Sequence, residues 1–272
     1  EAVPYFRSRW RGRLRGAVHR TIHTFGIPES ILQERVEDRL PPDRGGVSLA
    51  YLPDTLGVRL RLTARMEIEP KDLGSEGPAD GIEDPKEEAL GRLRAVETLL
   101  EPVLAGHSYE AETGDLAEAV AEALLQRRLT LGVAESCTGG LVAKRLTDVP
   151  GSSGYFLGGV VAYANEIKSG VLGIHRRIME ERGVVSEAVA AAMAEGVTGT
   201  LGSNVGIGVT GIAGPEGGTR EKPVGTVCFA VSLPEGTTTR TERFPGDRED
   251  VRERSAQAVL GLLLRLLEGE GP

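Results

Sequence analysis

Thr130-Leu-Gly-Val-Ala-Glu-Ser-Cys-Thr-Gly-Gly140-Leu-Val-Ala-Lys-Arg-Leu146 decides how this chain folds. Thr130 to Ala134 reads as a short apolar strand, and Gly140 to Leu146 takes up helical spacing. Between them lies a turn of small residues. Working outward, the same alternation continues. Gly159 to Ala164 and Val205 to Val209 read as strands, and Glu166 to Leu172 and the Ala-rich Glu187 to Leu201 read as helices. Val224 to Ser232 and Thr238 to Phe244 form an antiparallel pair joined at Pro234-Glu-Gly, and Asp250 to Leu267 closes the chain as a long helix. Leu116 to Leu125 is a helix that Asp115 can cap. The fold class expected is α/β, with a C-terminal α/β/α sandwich around a mixed sheet.

Upstream the units are smaller. Ala17 to Phe25 has a strand-like mix, and Pro28-Glu-Ser opens a helix with Ile31, Leu32 and Val36 at helical spacing. Val47 to Leu52 and Gly57 to Ala64 alternate apolar and polar residues around Pro53-Asp54, as a hairpin does. Pro70 to Asp84, rich in Gly, Pro and acidic residues, reads as a mobile loop. Lys86 to Leu104 is amphipathic, with Leu90, Leu93, Val96, Leu99 and Leu100 on one side. The periodicity lapses between Gly106 and Gly114. A small α+β domain over 1–112 therefore precedes the larger one over 113–272.

Composition narrows the function classes. The 272 residues are 40% hydrophobic, enough to build two cores. A net charge of -8 argues against a nucleic-acid partner, and the basic run Arg7 to Arg15 reads as a solvated edge. Two cysteines, Cys137 and Cys228, form no disulfide framework and point to the cytoplasm. No apolar run is long enough to span a membrane. The start, Glu1-Ala-Val-Pro, has neither a signal-peptide pattern nor a Met, so a processed or truncated piece of a longer protein is expected. No His/Cys/Asp/Glu cluster has metal spacing, and no cofactor motif appears.

Four segments carry chemistry. In the Ala134 to Gly140 turn, Ser136 has the setting of a nucleophile on a strand-to-helix turn, and the amides of Thr138, Gly139 and Gly140 face an anion or oxyanion. Ser136 and Thr138 serve equally well as helix caps. Cys137 reads as packing, because a thiolate needs a cationic neighbour and His175 is the one histidine after residue 115. In Tyr163-Ala-Asn-Glu-Ile-Lys168, a phenol and an amine can handle protons; with histidine so scarce, a Ser-Lys pair is more available than a Ser-His-Asp triad. Lysine acts as a base only where burial or a cation lowers its pKa; otherwise Lys168 is a surface residue. The Gly-rich Gly208 to Pro215 loop, with Thr210 and Gly211, sits where ligands approach a strand's C-terminal end. In Pro245-Gly-Asp-Arg248, Arg248 can clamp a phosphate or simply follow a capping Asp247.

Taken in order, Ala134-Glu-Ser-Cys-Thr-Gly-Gly, Gly151-Ser-Ser, Tyr163-Ala-Asn-Glu-Ile-Lys, Gly183-Val-Val-Ser-Glu, Thr210-Gly-Ile-Ala-Gly-Pro, Lys222-Pro-Val-Gly-Thr and Gly246-Asp-Arg resemble the C-terminal domain of the CinA family. That domain is also found alone as the PncC nicotinamide-nucleotide amidase. Thr24-Phe-Gly-Ile-Pro-Glu-Ser and the Val58 to Ala64 strand resemble the family's KH-like middle domain. The molybdopterin-binding-like domain that precedes it in full-length members lies outside this chain, so no pyrophosphatase activity is assigned here. The resemblance implies a nicotinamide mononucleotide deamidase that needs neither metal nor cofactor and pairs as a homodimer. It implies Ser136 as nucleophile, Lys168 as base and Tyr163 as a supporting group. Thr138, Gly139, Gly140, Thr210 and Gly211 would hold the ligand or oxyanion, and Arg248 the phosphate. A non-catalytic nucleotide-binding or regulatory module is the alternative.

Overall fold

A computed structural model describes residues 14–68 and 84–269. The chain divides after Ser108 into two compact units. In the first, β1 (Leu14–Thr24), β2 (Val47–Pro53), β3 (Val58–Ile68) and the two-residue β4 (Ser108–Tyr109) form a sheet in the order β2-β3-β1-β4. Both β1 and β2 run antiparallel to β3. Along β3, Val58, Leu60, Leu62 and Ala64 are buried while Arg59 and Arg61 between them are exposed, the period of a sheet covered on one face. The covering layer is α1 (Glu29–Arg39) and α2 (Pro85–Leu104), which contribute Leu32, Val36, Leu93, Val96 and Leu100 to one core. Ile31, expected on the inner face of α1, is 40% exposed. The expected loop at Pro70 to Asp84 lies outside the described residues except for Asp84, whose side chain caps α2 through the amide of Lys86. The basic run at Arg7 to Arg13 also lies outside them.

In the second unit, β5 (Leu131–Glu135), β6 (Phe156–Val161), β7 (Val205–Gly211), β8 (Thr226–Leu233) and β9 (Gly236–Arg243) form a sheet ordered β6-β5-β7-β8-β9. The first three are parallel, and β8 and β9 are antiparallel additions. The sheet is mixed, as expected. Every residue of β5 and nearly every one of β7 and β8 is buried, which requires cover on both faces. The helices are α3 (Leu116–Arg127), α4 (Leu141–Asp148), α5 (Asn165–Gly170), α6 (Arg176–Arg182), α7 (Glu187–Leu201) and α8 (Arg248–Glu268). Helix α6 has no counterpart in the sequence reading, because its Arg- and Glu-rich run carries no apolar stripe.

Close packing of α7 on the sheet follows from two glycines. A Cβ on Gly206 would stand 2.1 Å from the carbonyl oxygen of Ala194, and one on Gly208 would stand 2.1 Å from that of Ala190. Glycine in β7 and alanine in α7 thus let helix and strand backbones approach more closely than larger residues allow. A buried Arg145 joins α4 to the rest of the unit. Its guanidinium donates to Asp115, which also caps α3, and to Oε1 of Gln257 in α8 at 2.8 Å. Burial would raise the Asp115 carboxyl, but the hydrogen bonds from Arg145 and the Ala117 amide, with the charge of Arg145, hold it below its ordinary value.

Two outcomes are expected. Gly208→Ala should lower unfolding stability by about 3 kcal/mol through overpacking, read by denaturant titration; an unchanged midpoint would contradict the contact. Asp115→Ala leaves a buried guanidinium without its anion and should cost about 3 kcal/mol. Because the folded carboxyl titrates below its unfolded value, its contribution is present above the unfolded pKa and is lost as pH falls through the folded one. The gap between wild type and Asp115→Ala should therefore close in acid.

Candidate active site

The turn after β5 is fixed by hydrogen bonds along its length. Ser136 donates its amide to the carbonyl of Val209 in β7 at 2.9 Å, so the candidate nucleophile sits between two central parallel strands. Glu135, just before it, is 1% exposed. Its carboxylate accepts the amides of Gly140 at 2.9 Å, Val142 at 3.1 Å and Ala143 at 2.8 Å. These are orphan donors at the start of α4, and a carboxylate there also meets the positive end of the helix dipole. The cap expected from Ser136 or Thr138 is therefore supplied by Glu135. Thr138 is fully buried, and its hydroxyl has no partner.

Lys168 reaches the same point from α5. Its Nζ lies 3.2 Å from Ser136 Oγ, 2.8 Å from the carbonyl of Ala162 and 3.2 Å from that of Tyr163. The side chain is 2% exposed. Burial pushes the ammonium pKa down, opposed more weakly by Cys137 and Glu166. The two carbonyls and the Ser136 hydroxyl are three acceptors for the lysine head, and once a proton is lost the free position can face the hydroxyl. This partner set also explains why β6 stops at Val161, short of the expected Ala164. The carbonyls of Ala162 and Tyr163 turn to the lysine instead of continuing a strand ladder.

The other expected residues sit as follows. Tyr163 contributes its carbonyl to Lys168, but its ring is 62% exposed and its hydroxyl accepts from Arg248 Nη2 at 3.1 Å rather than meeting Ser136. Arg248 Nη1 donates to the carbonyl of Gly214 at 2.7 Å, so this guanidinium bridges the Tyr163 and Gly214 segments at the start of α8. Thr210 is buried, and its hydroxyl donates to the carbonyl of Val184 at 2.9 Å, which makes its side chain a tie between loops. Gly211 permits close packing, since a Cβ there would stand 2.7 Å from Val227 and 3.0 Å from Cys137 Sγ. The amides require a correction. That of Gly140 is taken by Glu135, and that of Gly139 donates to the carbonyl of Ser136 at 3.1 Å. The amides of Cys137 and Thr138 reach the Cys137 sulfur. Cys137 is 6% exposed, and burial pushes its thiol up to about 12, so it is not a thiolate near neutral pH.

Arg252 is a residue that the sequence reading passed over. One turn beyond Arg248 on α8, it donates Nε and Nη2 to the carbonyl of Thr138 at 3.2 and 2.8 Å. Glu135 was quoted within its motif but given no role. Among the described residues, no three His, Cys, Asp or Glu side chains are grouped as metal ligands, and no helix is long and apolar enough to cross a membrane.

A central strand leads into this serine turn, α5 supplies the buried lysine, and β7 ends in a Gly-rich loop. The profile of the CinA C-terminal domain matches residues 113–267, and that of the damage-inducible protein CinA KH domain matches residues 19–71. The chain belongs to the CinA family. A competence-damage inducible protein of Symbiobacterium thermophilum is 41% identical over 98% of this chain and 61% of its own length. A CinA-like protein of Gemmatimonas aurantiaca is 42% identical over 92% of this chain and 54% of its own. This CinA chain thus spans little more than half the length of these curated relatives. Among solved structures, a CinA superfamily protein from Klebsiella pneumoniae is 34% identical, with a TM-score of 0.55, over 57% of this chain and 96% of its own. One from Escherichia coli is 33% identical, with a TM-score of 0.54, over 58% of this chain and 94% of its own.

Both cysteines are buried, and burial raises both thiols. A small disulfide reagent at neutral pH should therefore label neither in the native protein and both after denaturation. Rapid native labelling of Cys137 would contradict its placement in the turn.

Proposed function

We propose that the C-terminal unit is a Ser-Lys amidohydrolase that converts nicotinamide mononucleotide to nicotinate mononucleotide and ammonia. The observation that carries this reading is the 3.2 Å approach of Lys168 Nζ to Ser136 Oγ, with the amine 2% exposed. A hydroxyl is a weak nucleophile at neutral pH, and an adjacent base activates it. A buried amine with a lowered pKa is such a base.

Ser136 Oγ attacks the carboxamide carbon while its proton passes to Lys168 Nζ. The carbonyl becomes a tetrahedral oxyanion, for which the amides of Cys137 and Thr138, whose acceptor is otherwise only the Cys137 sulfur, are the donors we assign. One such donor is worth about 3 kcal/mol in comparable sites. The C–N bond then breaks as Lys168 returns the proton to the departing nitrogen, releasing ammonia and leaving a nicotinoyl ester on Ser136. Water attacks that ester with Lys168 again taking the proton; the bond from the acyl carbon to Ser136 Oγ breaks as Lys168 hands that proton to the serine, and the freed acid departs as nicotinate mononucleotide. The positively charged pyridinium ring withdraws electrons from the carbonyl in both steps. Arg248, exposed and bonded to Tyr163 and Gly214, is the guanidinium we assign to the nucleotide phosphate.

The test is ammonia release by the purified protein. Ser136→Ala should abolish it, and Lys168→Ala should cut turnover by about 1,000-fold or more with folding intact. Wild-type turnover in Ser136→Ala would remove the nucleophile. The pH profile supplies a second check. The active amine is the deprotonated one, so kcat/KM should rise with pH and level off above a pKa below the ordinary lysine value of about 10.4. A rate that falls with pH across the neutral range would contradict lysine as base.

A further inference from the structure

We propose that Arg252 is a positioning residue for the Ser136 nucleophile and that it works together with Glu135. The inference rests on the reading of Ser136 as the attacking group. Its starting observation is independent of that reading: the side chain of Glu135, which opens the turn, and that of Arg252, 114 residues beyond Thr138, hold the turn and the start of α4 without touching the serine hydroxyl.

The Thr138–Gly139 peptide is the link. Arg252 donates two hydrogen bonds to its carbonyl, from Nε at 3.2 Å and Nη2 at 2.8 Å. The N–H of that same peptide, on Gly139, donates to the carbonyl of Ser136 at 3.1 Å. Pulling electron density toward a guanidinium at one end of a peptide strengthens the donor at the other, so the arginine tightens the bond that holds the serine's own backbone. On the far side of the turn, the Glu135 carboxylate fixes the amides of Gly140, Val142 and Ala143. One charge takes a carbonyl and the other takes amides. The amides of Cys137 and Thr138 are left between them.

Three further features match this function. Arg252 lies against the glycine itself: a Cβ on Gly139 would stand 3.5 Å from Arg252 Nη2, ordinary contact distance. Gly139 and Gly140 have φ of 63° and 96°, a backbone that glycine adopts freely and L side chains rarely do, so the turn is built of residues with no side chains of their own to fix it. The base of α8 is itself anchored by a capping box, in which Asp247 accepts the amides of Glu249 and Asp250 and the Asp250 carboxylate accepts that of Asp247. Arg248 and Arg252 stand four residues apart on that anchored helix. The first holds the Tyr163 and Gly214 segments, and the second holds the serine turn. The start of α8 thus sets the spacing between the turn and the segment that presents Lys168.

Arg252→Ala, Arg252→Lys and Glu135→Gln in the full chain test the proposal by two readouts. The first is steady-state ammonia release from nicotinamide mononucleotide. Arg252→Ala should lower kcat by about 100-fold, the scale expected when a reacting group is misplaced by about an ångström, with KM changed less than about threefold. Arg252→Lys, which keeps the charge and loses the paired donors, should recover part of the loss. The second readout is amide hydrogen exchange at Gly139 and Gly140, which needs no activity. It should accelerate at Gly139 in Arg252→Ala and at Gly140 in Glu135→Gln, with exchange in β5 and β7 unchanged. Wild-type kcat in Arg252→Ala, or a rise in KM at constant kcat, would overturn the proposal, the latter by making Arg252 a substrate contact. If Arg252→Ala does not fold, Arg252→Lys carries the kinetic test: full wild-type kcat with unaltered exchange overturns the proposal. A wild-type protein that releases no ammonia while Gly139 exchange still responds to Arg252 refutes the proposed reaction but not the restraint on the turn.

Discussion

Placing the Lys168 amine out of water determines much of the second unit. An ammonium taken from water into a protein interior loses several kcal/mol of hydration, so burial favours the neutral form. Two carbonyls, those of Ala162 and Tyr163, and the Ser136 hydroxyl at 3.2 Å are the polar partners left to it. For this to happen β6 has to end, α5 has to begin at once, and the turn after β5 has to present Ser136 at the same level of the sheet. Parallel pairing of β5 with both β6 and β7 brings those strand ends together. The chemistry and the topology therefore share one requirement.

The turn itself is held by partners of opposite sign. A carboxylate at a helix start is stabilised by the dipole and by free amides, and Glu135 occupies that position so fully that no external anion is needed there. A nucleotide phosphate then has to find its cation elsewhere. Arg248, on the exposed rim beside Tyr163, offers one. In the proposed reaction substrate charge would be met at the surface, while the interior charges hold backbone geometry. This division is consistent with a thiol at Cys137 that stays protonated and with a Thr210 hydroxyl that only ties one loop to another.

Much of the fold was legible because its signals are local. The apolar run before Ser136, the Ala-rich α7 and the alternating β3 each bury a face whose period the sequence displays. Helix α6 was not legible: its charged run docks through two adjacent residues, Ile178 and Met179, and two neighbours make no stripe. The end of β6 was misplaced because a lysine six residues away, not a turn residue, takes its carbonyls. At the site, Ser136 and Lys168 stood out by type and by family resemblance. Arg252 did not, since its partner is a backbone oxygen 114 residues away. Glu135 was hidden for a related reason, as a glutamate in a motif gives no sign that it will be buried against amides. Contacts between side chains and distant backbone leave no pattern in sequence.

The most direct measurement is the titration of the Lys168 Nζ resonance in protein carrying ¹⁵N-labelled lysine side chains, assigned by comparison with Lys168→Arg. The account predicts a pKa well below the ordinary lysine value of about 10.4, with a further change when Ser136 is replaced by Ala. An amine that titrates at or above that value, or one that does not sense the loss of the Ser136 hydroxyl, would contradict it.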